Sequence, residues 1–463
     1  MGAELNAKTQ GRKDARDVGG LAPWRPGDFA LPEGFRDTPL GPLPETWKVV
    51  RLQDVTEDTQ QRDPSQESDK TFKYIDVSSV SNKTYQIQGW KAYKGCEAPS
   101  RARKVVLYRD VLFATVRPYL RNIAQVPSHL DGEICSTGFC VIRAKDGKSD
   151  ADYLYYAVLS DSFVEKVVAQ QRGSSYPAVS DKVILSERIP LPPLPEQRAI
   201  VHALRTVQEA REATERVIAA ARELKCSLMR HLFTYGPVPI AQADRLELQE
   251  TPFGSAPAHW RIAPLDKYAF VQTGAAKGRR FGDSSTITVP YLRVANVQDG
   301  YLNLSEIKYI EIREDELKRY SLQPGDVVVT EGGDFDKLGR GSIWHGEIQD
   351  CIHQNHIFAI RAERSTLLPE YLTYLIQSGY GKSYFLNVAH RTTHLACINT
   401  TKLRAFPTLI PSLAEQREIA DILSTVDAKI AAEEARRGAL EALFHTLLHH
   451  LMTGKVRAMA LYG

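Results

Sequence analysis

The sequence predicts an α+β protein: two similar mixed α/β domains separated by two long antiparallel helices that form a coiled coil, the whole pseudo-twofold symmetric. Three observations predict it. The 463 residues allow roughly three folded units at ~100 to 200 residues per domain. The chain repeats itself at long period. Each repeat ends in a proline-poor stretch rich in Ala, Leu, Glu and Arg, the composition of a helix too long for a lone domain.

The repeat is anchored by LPPLPEQRAIVHALRTV at Leu191 to Val207 and IPSLAEQREIADILSTV at Ile410 to Val426, which align with Glu196 on Glu415 at an offset of 219 residues. Ile200, Leu204 and Val207 then fall on Ile419, Leu423 and Val426, and His231-Leu232 on His450-Leu451, without a gap. Upstream the match continues with a drifting offset. Trp47 pairs with Trp260, Tyr74 with Tyr291, Asp110 with Asp326, and Ile142-Arg143-Ala144 with Ile360-Arg361-Ala362. A variable domain before a constant helix, twice over, explains both behaviours.

Taken in order, residues 1–42 read as a flexible arm, rich in Gly and Pro with balanced charges. The first domain covers 43–193. Its strands are expected over Tyr74 to Val80, Val105 to Thr115 and Phe139 to Arg143, with a short helix near Tyr153 to Val168. Helix 194–236 opens with Pro195 and Glu196 in its first turn and closes at Gly236. A linker, 237–256, follows. The second domain, 257–410, repeats the pattern with strands over Tyr291 to Val297, Asp326 to Thr330 and His356 to Arg361 and a helix near Tyr371 to Gln377. Helix 411–454 starts with the capping box Ser412-x-x-Glu415 and closes at Gly454, before a tail, 455–463.

The expected seam runs through Ile200, Leu204, Val207, Val217, Ala221, Leu224 and Leu228 on the first helix. On the second it runs through Ile419, Leu423, Val426, Ile430, Leu440, Phe444, Leu447 and Leu451. About 39 residues at ~1.5 Å each make a rod on the order of 58 Å, which needs a partner along its length. Packing one rod against the other supplies it.

Composition excludes several classes. Lys and Arg total 59 against 56 Asp and Glu, a net charge of +3, so any basic surface is local. No run approaches the ~18 to 20 apolar residues of a membrane span. Six cysteines without a C-x-x-C pair fit a cytoplasmic chain with reduced thiols. Gly147-Lys148-Ser149 and Gly381-Lys382-Ser383 lack the earlier glycine of a phosphate-binding loop. Cys351-x-His353-x-x-His356 lacks a fourth metal ligand and alternates with Ile352 and Ile357, as a strand with a polar outer face does. No nucleophile elbow, dinucleotide fingerprint or metalloprotease motif occurs, so no catalytic or metal residue is assigned.

What remains is a set of basic, glycine-containing loops in each domain, whose residue types suit phosphates and base edges. In the first domain the candidates are Arg117, Tyr119 and Arg121 after a strand, and Arg172 and Ser174 after a helix. In the second they are Lys277, Arg279, Arg280, Lys337, Arg340, Arg391, Thr392 and Thr393, with Arg391 at the equivalent of Arg172.

This layout resembles the specificity (S) subunit of type I restriction-modification enzymes. The resemblance rests on PLPPLPEQRAI at Pro190, LIPSLAEQREI at Leu409, LPETWKVVRLQDV at Leu43, PAHWRIAPL at Pro257, RDVLFATVRPYLRNIA at Arg109, GDVVVTEGG at Gly325 and LGRGSIW at Leu338. It covers Leu43 to Lys455.

It implies that each domain is a target recognition domain for one half of a bipartite double-stranded DNA site, with the helices setting the gap. It also implies a non-catalytic chain without cofactors. Two methyltransferase (M) subunits would bring S-adenosylmethionine, and restriction (R) subunits would bring ATP and Mg. Glu196, Gln197, Arg198, Glu415, Gln416 and Arg417 would dock them. Ala414, where the first copy has Pro195, departs from the pattern. A coiled-coil adaptor without DNA reading, and a stand-alone DNA-modifying enzyme, are the competing readings.

Overall fold

The structure, a computed structural model, describes residues 31–173, 175–282, 285–333, 338–391 and 396–458. They form two compact units. The first contains the described residues up to Glu212 together with those from Gly438 onward, and the second runs from Ala213 to Arg437.

In the first unit an antiparallel sheet is ordered Thr56–Glu57, Phe139–Ala144, Val111–Ala114, Ile123–Gln125. Side chains alternate faces along a strand, and here both faces are covered. Val111 and Phe113 enter the core that faces the long helices, while Leu112 and Ala114 enter a second core. That is why VLFA is an unbroken apolar run. A second sheet, mixed in direction, is ordered Lys91–Lys94, Thr71–Ile75, Ile134–Ser136, Ala102–Val105.

The second unit is built the same way. Its main sheet is ordered Ala269–Thr273, Ile357–Ala362, Val327–Thr330, Gly341–Ile343. Val327 and Val329 face one core and Val328 another. Its second sheet joins Lys308–Arg313, Thr286–Leu292 and Ile352–His353. In both units the strand before the long helix pairs with the one after the repeated tryptophan, Trp47 or Trp260: Arg188–Leu191 with Lys48–Arg51, and Pro407–Ile410 with Arg261–Pro264.

The expected strand Val105 to Thr115 is broken. Arg109 takes a left-handed conformation (φ 69°), and the Asp110 carboxylate accepts the Leu107 amide at 2.7 Å. That carboxylate also takes two hydrogen bonds from Arg143, at 2.9 and 2.7 Å, and Arg361 grips Asp326 equivalently at 2.8 and 2.7 Å. The stretch Tyr74 to Val80 is also shorter than expected, a strand only to Ile75 and a tight turn at Val77–Ser79. The expected helix near Tyr153 is two helices, Ala151–Leu159 and Asp161–Ala169, matched by Pro369–Gln377 and Gly379–Val388.

The long helices span Leu194–Tyr235 and Leu413–Met452. They run antiparallel. In the first unit Ile200, Val201 and Leu204 share a core with Phe444, Leu448 and Leu451; in the second, Leu232 and Phe233 share one with Ile419 and Leu423. The seam differs from expectation in the middle, where Val217 and Leu224 are exposed and Ile218 is buried. Charge pairs take over there: Arg437 to Glu215 at 3.0 Å, Arg222 to Glu434 at 2.5 Å and Lys225 to Asp427 at 2.7 Å.

Three boundaries also change. The end of the arm folds, as Phe35–Arg36 pairs with Leu43–Pro44. The linker holds the equivalent hairpin, Leu248–Thr251 with Gly254–Pro257, so Phe35 opposite Pro44 matches Leu248 opposite Pro257. The tail is anchored at its start, with Ala458 buried and Arg457 bonded to Glu196.

His353 corrects the polar-face reading. Its ring is fully buried, with Nδ1 2.9 Å from the Ile357 carbonyl, whereas His356 is exposed beside Glu331 at 2.6 Å. Burial pushes the His353 imidazole down to about 4, so it sits neutral in the core. No cluster of potential metal ligands occurs among the described residues.

Candidate nucleic-acid interface

Most candidate loops follow the strands Val111–Ala114 and Val327–Thr330 or the second helix of each helix pair, while Lys277, Arg279 and Arg280 follow Ala269–Thr273. In the first unit Arg117 and Arg121 bracket a tight turn, Pro118–Leu120, and both adopt the left-handed region at φ 50° and 55°. Tyr119 is exposed at the tip. Arg121 is pinned to Asp161 at 2.5 Å, whereas Arg117 lays its guanidinium 5.2 Å from the Tyr176 ring centroid. Arg172 is exposed and exchanges two backbone hydrogen bonds with Ala178, both 2.9 Å. Ser174 lies outside the described residues.

The two loops are tied together. Val116 bridges Ala178, and the Arg117 amide donates to the Pro177 carbonyl at 2.7 Å. In the second unit the same relation holds at equivalent positions, where Gly332–Gly333 pairs with Ala396–Cys397 and the latter with His390–Arg391. Gly332 has no room for a side chain, because a Cβ there would meet the Ala396 carbonyl oxygen at 2.7 Å. Each unit thus joins its post-strand loop and its post-helix loop into one platform. Lys337, Thr392 and Thr393 lie outside the described residues, and Arg391 is placed by its backbone.

The remaining second-unit candidates divide. Lys277 and Arg280 are exposed, the Lys277 ammonium lying 5.8 Å from the centroid of the buried Tyr291 ring. Arg279 is committed internally, with one nitrogen 2.7 and 2.8 Å from the two oxygens of Glu316 and its guanidinium 5.0 Å from the Phe281 ring. The hydrogen bond from Arg279 holds the Glu316 carboxyl below its ordinary value despite desolvation. Arg340 donates to Gln298 at 3.1 Å.

The helix openings hold a different surprise. Glu196 is buried and accepts the Trp47 indole N–H at 2.8 Å and Arg457 at 2.6 and 3.0 Å. Gln197 is buried too, accepting the Asp150 amide at 2.9 Å and donating to the Pro192 carbonyl at 2.8 Å. Glu415 accepts from Trp260 at 3.0 Å and His259 at 2.9 Å while closing its capping box on Ser412. Gln416 repeats Gln197, accepting the Leu368 amide at 2.8 Å and donating to Thr366 and Pro411 at 2.9 and 3.0 Å.

Of the residues expected to dock partners, Glu196, Gln197 and Gln416 direct their side chains to bonds within the unit. Arg198 and Arg417 are exposed. The signature repeats because each copy must fasten its tryptophan and its helix pair to the start of a long helix.

Residue-by-residue reading missed a further anchor on the first unit. Asp152 is buried between Arg109 and Gln125 of the domain and Arg205 of the long helix, with Arg109 at 2.9 Å and Gln125 at 2.7 Å. Nothing local in DYLYY signals it, since both arginines arrive from distant segments. The exposed Trp90, flanked by His129 at 5.2 Å and the Lys73 ammonium at 5.4 Å, was also unmarked by any motif.

Comparison with known proteins agrees with this architecture. The family described as the type I restriction modification DNA specificity domain matches residues 44–221 and 276–442. The type I restriction enzyme MjaVIII specificity subunit of Methanocaldococcus jannaschii is 24% identical over 446 residues, covering 93% of this chain and 97% of that protein. The putative MjaX specificity subunit of the same organism is 25% identical over 205 residues, with 42% of this chain and 48% of that one aligned. A solved chain, described in a study of complex assembly and conformational transition of the type I R-M system, superposes with a TM-score of 0.57. It shares 28% identity over 89% of this chain and 99% of its own.

Proposed function

Because the chain belongs to the type I restriction-modification DNA specificity family, we propose that its two units each read one half of a bipartite double-stranded DNA site. The long helices set the gap between the halves and dock methyltransferase and restriction subunits. The observation that carries this reading is the repeated platform. Val116 with Ala178 and Gly332 with Cys397 join the same two loops in each unit, and those loops carry the arginines.

A platform of this kind suits DNA for physical reasons. Arginine fits phosphate and guanine edges, glycine lets backbone amides approach closely, and the sheet behind keeps the loops in place. Arg117 and Arg172 on the platform, and Arg280 on the separate loop after Ala269–Thr273, are the cations that would meet phosphates or bases. Arg279 instead shapes its loop through Glu316.

Helices of 42 and 40 residues measure about 60 Å at ~1.5 Å per residue. At ~3.4 Å per base pair that caps the gap near 18 base pairs. The exposed Arg198 and Arg417 lie beside the buried fasteners, where partner subunits would dock. S-adenosylmethionine, ATP and Mg belong to those partners.

The experiment that tests the reading replaces residues 43–190 with those of a relative of different specificity and sequences the methylome of cells carrying the complete system. One half of the methylated sequence is expected to change. Change in both halves, or in neither, rejects the assignment.

A further inference from the structure

Resting on the DNA-reading function proposed above, we infer that the first unit opens its half-site with an aromatic wedge: Tyr119 and Leu120 enter a base step and Tyr176 stacks on a neighbouring base. A prolyl turn displays both wedge residues on the surface. Tyr119 is 47% and Leu120 40% exposed, and Tyr176 is 73% exposed. Polar side chains at such a tip would point to hydrogen-bond readout. A leucine beside a tyrosine, with a second exposed tyrosine on the adjoining loop, points to contact with base faces, which all four bases offer.

The turn is held as a wedge needs to be. Arg117 and Arg121, on either side of it, both occupy the left-handed region that side chains rarely adopt. Such conformations persist only where the surroundings over-determine them, and here they do. The Arg117 amide is hydrogen-bonded to Pro177, and Arg121 is paired with Asp161. The adjacent Asn122 donates to the Val80 carbonyl at 2.6 Å, and Pro118 is itself buried. The tip therefore cannot fold its apolar side chains back into the domain.

Charge is arranged around the tip as well. Arg117 lies over the Tyr176 ring, fixing its plane. Neither Arg117 nor the exposed Arg172 pairs with a carboxylate among the described residues, so both can take phosphates on the flanks of an opened step. The same placement gives the insertion its partner chemistry: a polyanion whose interior is a stack of aromatic faces.

The test uses the complete methyltransferase complex containing this chain and duplexes bearing the target recovered from its methylome. 2-Aminopurine or pyrrolocytosine is placed in turn at each position of the first half-site except the modified base. Binding is followed separately by anisotropy of a terminal dye. The native complex is expected to raise fluorescence several-fold at one step. Tyr119→Ala with Leu120→Ala should abolish the rise and weaken binding about 10-fold, as loss of base stacking does.

Tyr119→Phe with Leu120→Met should retain both signals, and Tyr176→Ala should lower the rise. Tight binding with no rise away from the modified base, or a rise that survives the double alanine variant, overturns the wedge and leaves DNA reading intact. If the native complex shows no salt-dependent binding to its own target, the DNA-reading function fails first.

Discussion

Glu196 accepts the indole N–H of Trp47 at 2.8 Å from 149 residues along the chain, and Glu415 accepts that of Trp260 at 3.0 Å from 155 residues. The pair joins the start of a recognition domain to the start of the helix that follows it. The far end of the other helix closes the same corner: Gly454 lies against Pro44 and Trp47, and Gly236 against Pro257 and Trp260. Each tryptophan thus locates both helices with respect to its domain.

Removing Glu196 should cost more than removing Glu415. Glu196→Ala leaves the Trp47 N–H and the Arg457 guanidinium without their buried acceptor, a loss of ~2 to 3 kcal/mol. Glu415→Ala acts at a more open corner and should cost about 1 kcal/mol. Urea unfolding of the two variants checks the order, and equal or reversed losses would contradict it.

Two groups should weaken the fold in acid, in different windows. Burial raises the Glu415 carboxyl, but hydrogen bonds from His259, Trp260 and Ser412 outweigh it and bring it to about 2. A depressed carboxylate contributes stability that is complete above its ordinary 4.5 and is lost as pH falls toward 2. His353, lowered from 6.5 to about 4 by burial, contributes stability present above 6.5 and lost on the way down to 4. Glu415→Gln should flatten the lower window alone, and His353→Gln the upper one, in thermal melts across pH.

Gly454→Ala should destabilise by ~2 kcal/mol or more. Gly454 combines a left-handed φ of 66° with Pro44 atoms 2.4 Å from where a Cβ would stand. Gly132→Ala, with φ 73° and open space around it, should cost only the backbone penalty of about 1 kcal/mol. Differential melting of the two variants distinguishes crowding from backbone strain.

Lys225 and Asp427 should couple across the helix pair. Their 2.7 Å contact is shared with Tyr374, whose hydroxyl donates to Asp427 at 2.8 Å. A double-mutant cycle with Lys225→Ala and Asp427→Ala is expected to give ~0.5 to 1 kcal/mol at low salt, fading in 1 M salt. Additive losses would mean that this contact plays no part in holding the helices together.

Arginines that meet phosphate should be recognised by salt dependence. Arg172→Ala and Arg280→Ala are each expected to reduce the slope of log affinity against log salt by about 1. Arg279→Ala should leave that slope nearly unchanged and lower thermal stability instead, because its guanidinium is committed to Glu316. Indifference of the slope to both Arg172→Ala and Arg280→Ala would demote those sites to solvated loops.

Much of the architecture was legible because its signals are local or periodic. The long helices follow from composition, the capping box at Ser412 and the glycine ends. The duplication follows from the ordered matches around Glu196 and Glu415. The apolar runs of the main sheets were readable as strands, since strands covered on both faces have little polar alternation to break the pattern. The strand through Arg109 was not, because its left-handed residue is set by the Asp110 carboxylate and by Arg143 from a neighbouring strand.

The candidate site divides in the same way. That basic loops recur in both domains was visible from residue types alone. That they are tied into one platform, through Val116 with Ala178 and Gly332 with Cys397, depends on backbone pairing between segments more than 60 residues apart.

By itself, then, the sequence determined the two-copy plan, the helical spacers and the chemistry available on the loops, because helix propensity, hydrophobic period and residue type are properties of short segments. Tertiary structure decided which polar groups face inward. Glu196, Gln197 and Gln416 look like surface residues one by one, and long-range partners compensate their burial, whereas His353 is buried as a neutral ring bonded to the nearby Ile357 carbonyl. It also decided the helix phase: Ile218 rather than Val217 turns inward, which no short segment specifies because the helical period is the same for either register.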